Sequence, residues 1–371
     1  MTRLSRRLPL AAPLVLGALL LALGAPLAAA PAPAATRAAA PLATAPLATA
    51  PVVARAASPT EPVEPRTAYV DVSVATLWVE PGRQRPVDLP SMTNPADPRA
   101  WTAGMTLAER RWLIGDLETQ ATYGQRVLVL AESGDWAQVV VPGQPTPRHE
   151  WGYPGWLPKV QLTDGRSFGH LAGRPFALVE TPTAWLYDDP RRTRRAMELS
   201  YNTRLPVLAR LDRAVLVATP SDGPKWLAAS DVSVYASAAD IPRPTGPELV
   251  AASRMFLGLP YLWAGTAGFG FDCSGLTHSV YAAHGITIPR DAQDQANAGT
   301  PVTREQLAPG DLVFFARNNG TGRVHHVGMY AGDGYIVDAP TNTDTEESGV
   351  EYVRLDEHRY AHEYAGARRY L

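Results

Sequence analysis

Between Leu259 and Leu276 a loop carrying Gly265, Gly268 and Gly270 runs directly into a helical pattern, through the junction Phe271-Asp272-Cys273-Ser274. Leu276, Val280 and Ala283 recur at helical spacing and Gly285 is a stop signal, so the spacing predicts a helix over 274–283. Cys273, the single cysteine among 371 residues, then sits at a helix N-terminus. Unpaired N–H groups and the positive end of the helix dipole favour a thiolate there, which is the attacking form of the side chain. The position suits a nucleophile. A lone cysteine is also commonly a small buried hydrophobe, so the rest of the chain must decide.

The N-terminal stretch bears on that choice. Residues 1–30 combine a basic start (Arg3, Arg6, Arg7), an apolar run from Leu8 to Leu27 and the small residues Ala28-Ala29-Ala30, the pattern of a secretory signal peptide. An uncleaved membrane anchor is the alternative, which Pro9, Pro13 and Pro26 weaken. An exported protein, in the periplasm, the cell wall or outside the cell, meets oxidising conditions in which cysteines usually pair. A single one has no internal partner and is flagged as reactive or intermolecular. Residues 31–66 are almost entirely Ala, Pro, Thr and Val, which reads as a disordered tether. Net charge is −2 with no basic block after the signal, which argues against nucleic-acid binding. The one cysteine and scattered histidines show no metal-ligand spacing, and no cofactor is expected.

Two segments then repeat an order of features. Leu77-Trp78 is echoed by Trp185-Leu186, 125–130 by 203–208, and Gly155-Trp156-Leu157 by Lys225-Trp226-Leu227. Short β-branched runs between Gly, Pro, Asp and Asn predict two small antiparallel barrels, at 67–163 and 164–240. Their order of features resembles bacterial SH3-like domains. The first carries an insertion over 88–120, where Leu107, Arg110, Arg111, Ile114 and Leu117 suggest an amphipathic helix. Residues 241–371 read as α+β. Helices are expected over 247–257, 274–283 and 291–298, then strands over 311–315, 325–331, 335–339 and 350–354. Helices followed by an antiparallel sheet is a papain-like order.

A cysteine nucleophile needs an imidazole to take and return a proton. Among eight histidines, His326 lies on an alternating strand, and Ala331-Gly332-Asp333-Gly334 turns it towards a strand bearing Asp338. A hairpin symmetric about Gly332 would pair 326 with 338, placing a carboxylate beside the imidazole to orient it. His325 has the opposite parity and should point away. An exposed His and Asp on an ordinary hairpin remains the bland alternative.

Phe271-Asp272-Cys273-Ser274-Gly275-Leu276, Ile288-Pro289-Arg290, residues 307–315 and His326-Val327-Gly328 together resemble the NlpC/P60 cysteine peptidases of bacterial cell-wall metabolism, over about 250–371. The resemblance implies a papain-like catalytic domain behind two SH3-like barrels, with Cys273, His326 and Asp338 as the catalytic set and Tyr261 near the oxyanion. Many members have His in the third place, so Asp338 is a departure. Leu117-Glu118-Thr119-Gln120, Gly152-Tyr153-Pro154-Gly155-Trp156 and Pro289-Arg290-Asp291-Ala292 are similar to the γ-D-glutamyl-L-diamino-acid endopeptidases with fused SH3-like domains. That likeness implies that Glu118, Tyr153 and Asp272 hold a substrate ammonium, and that Arg290 and Ser274 meet the D-glutamyl α-carboxylate. Glu118 paired with an Arg on its own helix, and Arg290 capping the preceding helix, are the alternatives. The implied activity is hydrolysis of peptidoglycan peptides between γ-D-Glu and the diamino acid, with preference for a free N-terminal L-Ala. A general wall endopeptidase or amidase on the same fold, and a non-catalytic wall-binding protein, are the rivals. The sequence specifies neither the diamino acid nor an oligomeric state.

Overall fold

The computed structural model describes residues 65–341 and 349–371. The expected signal peptide and all but the last two residues of the expected tether lie outside them. No helix among the described residues is long and apolar enough to cross a membrane.

The repeat read in the sequence is a repeat of topology. The first seven-stranded sheet runs, edge to edge, Leu117–Thr122, Val74–Trp78, Tyr153–Pro158, Trp136–Val141, Arg126–Ser133, Arg66–Val70 and Leu162–Thr163. The second has the corresponding order Arg195–Ser200, Thr183–Tyr187, Lys225–Ala228, Ala214–Val217, Arg204–Leu211, Phe176–Val179 and Val232–Tyr235. All pairings are antiparallel, and alternate side chains fill a separate core in each barrel. The repeated tryptophans close each barrel, Trp156 opposite Trp78 and Trp226 opposite Tyr187.

The stretch expected as one insertion divides differently. A short 3-10 turn at Pro86–Ser91 and helices Pro98–Gly104 and Leu107–Trp112 form the excursion, but Leu117 already belongs to an edge strand of the barrel. The helix stops early because Gly115 takes φ 87°, and the buried anchor is Leu113 rather than Ile114, which is exposed. Leu113, with Trp78, Trp101, Met105 and Leu117, packs on Leu262 and Ala264 of the loop before Cys273. Glu118 is therefore on a strand, not on a helix beside arginines.

In the C-terminal part the helices Gly246–Arg254, Cys273–Ala283 and Ala292–Asn297 pack on a six-stranded sheet. Its order is Thr300–Val302, Tyr364–Arg369, Leu312–Ala316, Val324–Gly332, Tyr335–Asp338 and Glu351–Arg354. The first two of these strands escaped the sequence reading: Thr300–Val302 is short, and Tyr364–Arg369 has small residues and arginines in place of a β-branched run. The hairpin register also differs from expectation: Asp338 pairs with Gly328, not with residue 326. The turn is the two-residue Asp333-Gly334, both at positive φ (52° and 79°), and a register shift follows between Tyr330 and Gly332. His326 keeps the parity of Asp338 and meets it on a diagonal.

Candidate active site

The helix Cys273–Ala283 is held by its first turn. The Asp272 side chain caps it, accepting the Gly275 N–H at 2.6 Å. A Cβ on Gly275 would fall 1.9 Å from the Gly265 carbonyl oxygen, so only glycine lets the loop and helix approach this closely. Every residue of the helix except Ala282 is buried, and its polar groups are satisfied inside: Ser279 Oγ donates to the Thr266 carbonyl at 2.8 Å and His278 Nδ1 to the Ile288 carbonyl at 2.9 Å. The helix is a rigid post with Cys273 at its head.

The Cys273 sulfur meets the backbone N–H groups of Val327 and Ser274, so the residue after His326 reaches this thiol. The expected effect of the helix N-terminus on the thiol is outweighed. Burial, and then the negative charge of Asp272, push the thiol up to about 12, while those N–H groups and Arg290 pull only weakly the other way. Burial and Asp272 both favour the thiol form, so a neighbouring base is needed to take its proton. Tyr261 faces the same place: burial, with Asp272 and Cys273 nearby, pushes its phenol well above the ordinary value and keeps it a hydrogen-bond donor.

His326 is 1% exposed and its Nε2 donates to Asp338 Oδ2 at 2.6 Å, which leaves Nδ1 as the second ring nitrogen. Burial lowers the imidazole below its ordinary value, opposed by Asp338. Burial pushes Asp338 up, but the hydrogen bonds from His326 and then His358 hold it down at about 2. His325 points away, to Glu363 Oε2 at 2.7 Å. His358 was missed by the sequence reading. It lies in Asp356-Glu357-His358-Arg359, which looks like a solvated loop, yet its ring is buried and its Nε2 stands 3.1 Å from Asp338 Oδ2. Nothing local in the sequence links 358 to 338. His326, Asp338 and His358 are also the one group among the described residues whose ligand atoms converge within 4.8 Å, but both imidazole nitrogens are spent on a single carboxylate oxygen.

The residues implied as substrate contacts cluster at the seam with the first barrel. Arg290, 1% exposed, donates from Nη2 to Asp272 Oδ2 (2.6 Å), from Nη1 to Asp272 Oδ1 (3.1 Å) and Ser274 Oγ (3.0 Å), and from Nε to Thr119 Oγ1 (3.1 Å). Asp272 and Arg290 thus bind one another, leaving one Nη2 hydrogen without an acceptor among the described residues. Arg290 does not cap the preceding helix; its own N–H donates to the Pro145 carbonyl of the first barrel at 3.0 Å. Glu118 accepts two hydrogen bonds from Arg148, whose Nη1 also donates to the Tyr153 hydroxyl at 3.2 Å, and that hydroxyl donates to Asp291 Oδ2 at 2.9 Å. Burial, and next Asp291, push the Tyr153 phenol up.

Comparison with known proteins matches residues 258–369 to the NlpC/P60 family and 179–235 to the YKFC SH3b2 domain. The chain is 51% identical to a γ-D-glutamyl-L-lysine dipeptidyl-peptidase of Bacillus cereus, over 82% of this chain and 91% of that one. It is 37% identical to a protein of the same name from Bacillus subtilis, over 80% of this chain and 96% of that one. A crystal structure of an NlpC/P60 family protein from Bacillus cereus superposes with a TM-score of 0.79 at 50% identity, covering 82% of this chain and 99% of that one.

Proposed function

Because this chain belongs to the NlpC/P60 family of cysteine peptidases, with SH3-like barrels ahead of its catalytic domain, we propose that it cleaves peptidoglycan peptides between γ-D-Glu and the diamino acid, in exported form, preferring a free N-terminal L-Ala. The observation that carries the reading is the buried His326–Asp338 pair next to Val327, whose N–H meets the Cys273 sulfur, together with the activity after which the two Bacillus relatives are named.

In this mechanism His326 Nδ1 takes the Cys273 proton as the sulfur attacks the γ-glutamyl carbonyl. Asp338, ionised throughout, steadies the imidazolium. The carbonyl oxygen gains charge facing backbone N–H groups of the helix start and the Tyr261 hydroxyl. His326 then returns the proton to the leaving amine of the diamino acid, and a water, deprotonated by the same imidazole, releases the acyl group from sulfur.

Selection for a free amine is supported by the carboxylate of Glu118 and the Tyr153 hydroxyl over the cleft. There the guanidinium of Arg148 stands where an ammonium would bind, so the peptide exchanges one cation for another. An N-acetylated peptide brings no charge and leaves Glu118 to Arg148. The N-acetylated peptide gains no charge-assisted contact there and must fit its acetyl group beside the retained pair, so free-amine peptides should be cleaved about tenfold or more faster than their N-acetylated forms. Comparing kcat/KM for L-Ala-γ-D-Glu-L-Lys and its N-acetyl derivative tests this; equal values would make the chain a general wall endopeptidase.

A further inference from the structure

We propose that His358 is a positioning residue of the catalytic array, the donor that makes an acid usable in the third place, behind His326 and Asp338. The inference rests on the catalytic reading above.

Two contacts set its tautomer. The Tyr360 backbone N–H donates to His358 Nδ1 at 3.2 Å, so Nδ1 is the acceptor and the ring proton sits on Nε2. Nε2–H therefore donates to Asp338 Oδ2, the same oxygen that receives His326 Nε2–H. Asp338 Oδ1 is buried with no hydrogen-bond partner among the described residues, so these two imidazoles are the carboxylate's hydrogen-bond donors there. The rings are fixed as a pair: they stack with centroids 5.5 Å apart and 12° between planes, and Phe315 covers both at 5.7 and 4.7 Å. The Tyr360 ring stands edge-on to each.

A buried carboxylate with a single donor has two faults as a third residue. Burial raises its proton affinity, and its whole charge falls on His326, favouring an imidazolium before substrate arrives. A second N–H on the shared oxygen reduces both. Asp338 stays ionised, with its affinity for protons depressed, and orients His326 without locking it in the charged form. The other charged groups around the array are Glu351 and Arg359, 3.4 Å apart, with His325 beside His326 and the Tyr360 phenol. None of them occupies the Asp338 oxygens.

The side-chain amides separate the two contacts of His358. Gln places its Nε2 where the histidine Nε2 stands and can still reach Asp338. Asn places its Oδ1 where Nδ1 stands, keeping the Tyr360 contact and losing Asp338. The test is kcat/KM against pH for both variants in the full chain, alongside the pH dependence of iodoacetamide alkylation of Cys273, the one thiol present. His358→Asn should lower kcat by about tenfold or more with little change in KM, as loss of an outer partner does. It should also move the acid limb of both profiles to higher pH, because His326 becomes more basic and Asp338 easier to protonate. His358→Gln should restore the limb and most of the rate. Equal, unshifted profiles for Asn, Gln and wild type would overturn the proposal, as would equal loss in both variants with unshifted limbs. Alkylation needs no substrate, so a shift seen there without peptide cleavage would retain His358 and reject the substrate reading.

Discussion

Asp338 is where the chemistry of this site is most unusual, a buried anion that two imidazoles share. Replacing it with Asn keeps the shape and removes the charge. The imidazolium formed during attack then loses its anionic neighbour, and an amide in this place can also present its N–H₂ to His326 and turn the ring's tautomer. Asp338→Asn should lower kcat by about a hundredfold or more, while KM for the tripeptide changes little. Steady-state kinetics across pH checks this, and a variant within twofold of wild type at every pH would show that the contact is structural. At this scale the meeting of His326 and Asp338 was legible in sequence because strand parity survives a register error: the pairing moved by two residues, and two is the period of a strand. His358 was not, since its role comes from a loop folding back over the sheet, and loop residues carry no periodicity. The Glu118–Arg148 pair was equally invisible, joining a strand to a loop thirty positions on.

At the scale of elements, the helix Cys273–Ala283 imposes a pH dependence on the whole fold. His278 is buried with its imidazole lowered to about 4, by burial first and Arg290 second. An unfolded histidine takes a proton near pH 6.5, so between about 6.5 and 4 the unfolded chain binds more protons than the folded one. Stability is complete above that window and is lost as pH falls through it, by on the order of 3 kcal/mol. Urea unfolding at pH 7 and pH 4.5 should show the loss, and His278→Gln should flatten it; an unchanged slope would mean that His278 is not the group responsible. This helix was legible because its apolar residues recur at helical spacing and a glycine follows. The thiolate expected at its head is opposed by burial beside Asp272, which the sequence does not display.

Across the whole molecule, the two barrels are built against the catalytic loop. Gln120 Oε1 accepts the Thr266 N–H at 3.1 Å, the Trp263 indole donates to the Leu117 carbonyl at 3.0 Å, and Ser200 Oγ accepts the Gly268 N–H at 2.9 Å. The repeat and the catalytic motifs could be read separately in the sequence, but their contact could not, since each of these side chains meets a main-chain group that any residue supplies. Gly268 is the exception, chosen for space: a Cβ there would lie 2.0 Å from the Pro182 carbonyl oxygen of the second barrel. Gly268→Ala should therefore cost about 1–3 kcal/mol and lower Tm by several degrees, with activity falling as the loop before Cys273 shifts. Calorimetry on the full chain decides it, and an unchanged Tm would mean the barrels only tether the enzyme. Cleavage itself is read by mass spectrometry of L-Ala-γ-D-Glu-L-Lys incubated with the wild-type chain and with Cys273→Ala. The wild type should yield L-Ala-γ-D-Glu and free L-Lys, and the variant should leave the tripeptide intact. Release of L-Ala alone, or the same products from Cys273→Ala, would contradict the proposed cleavage.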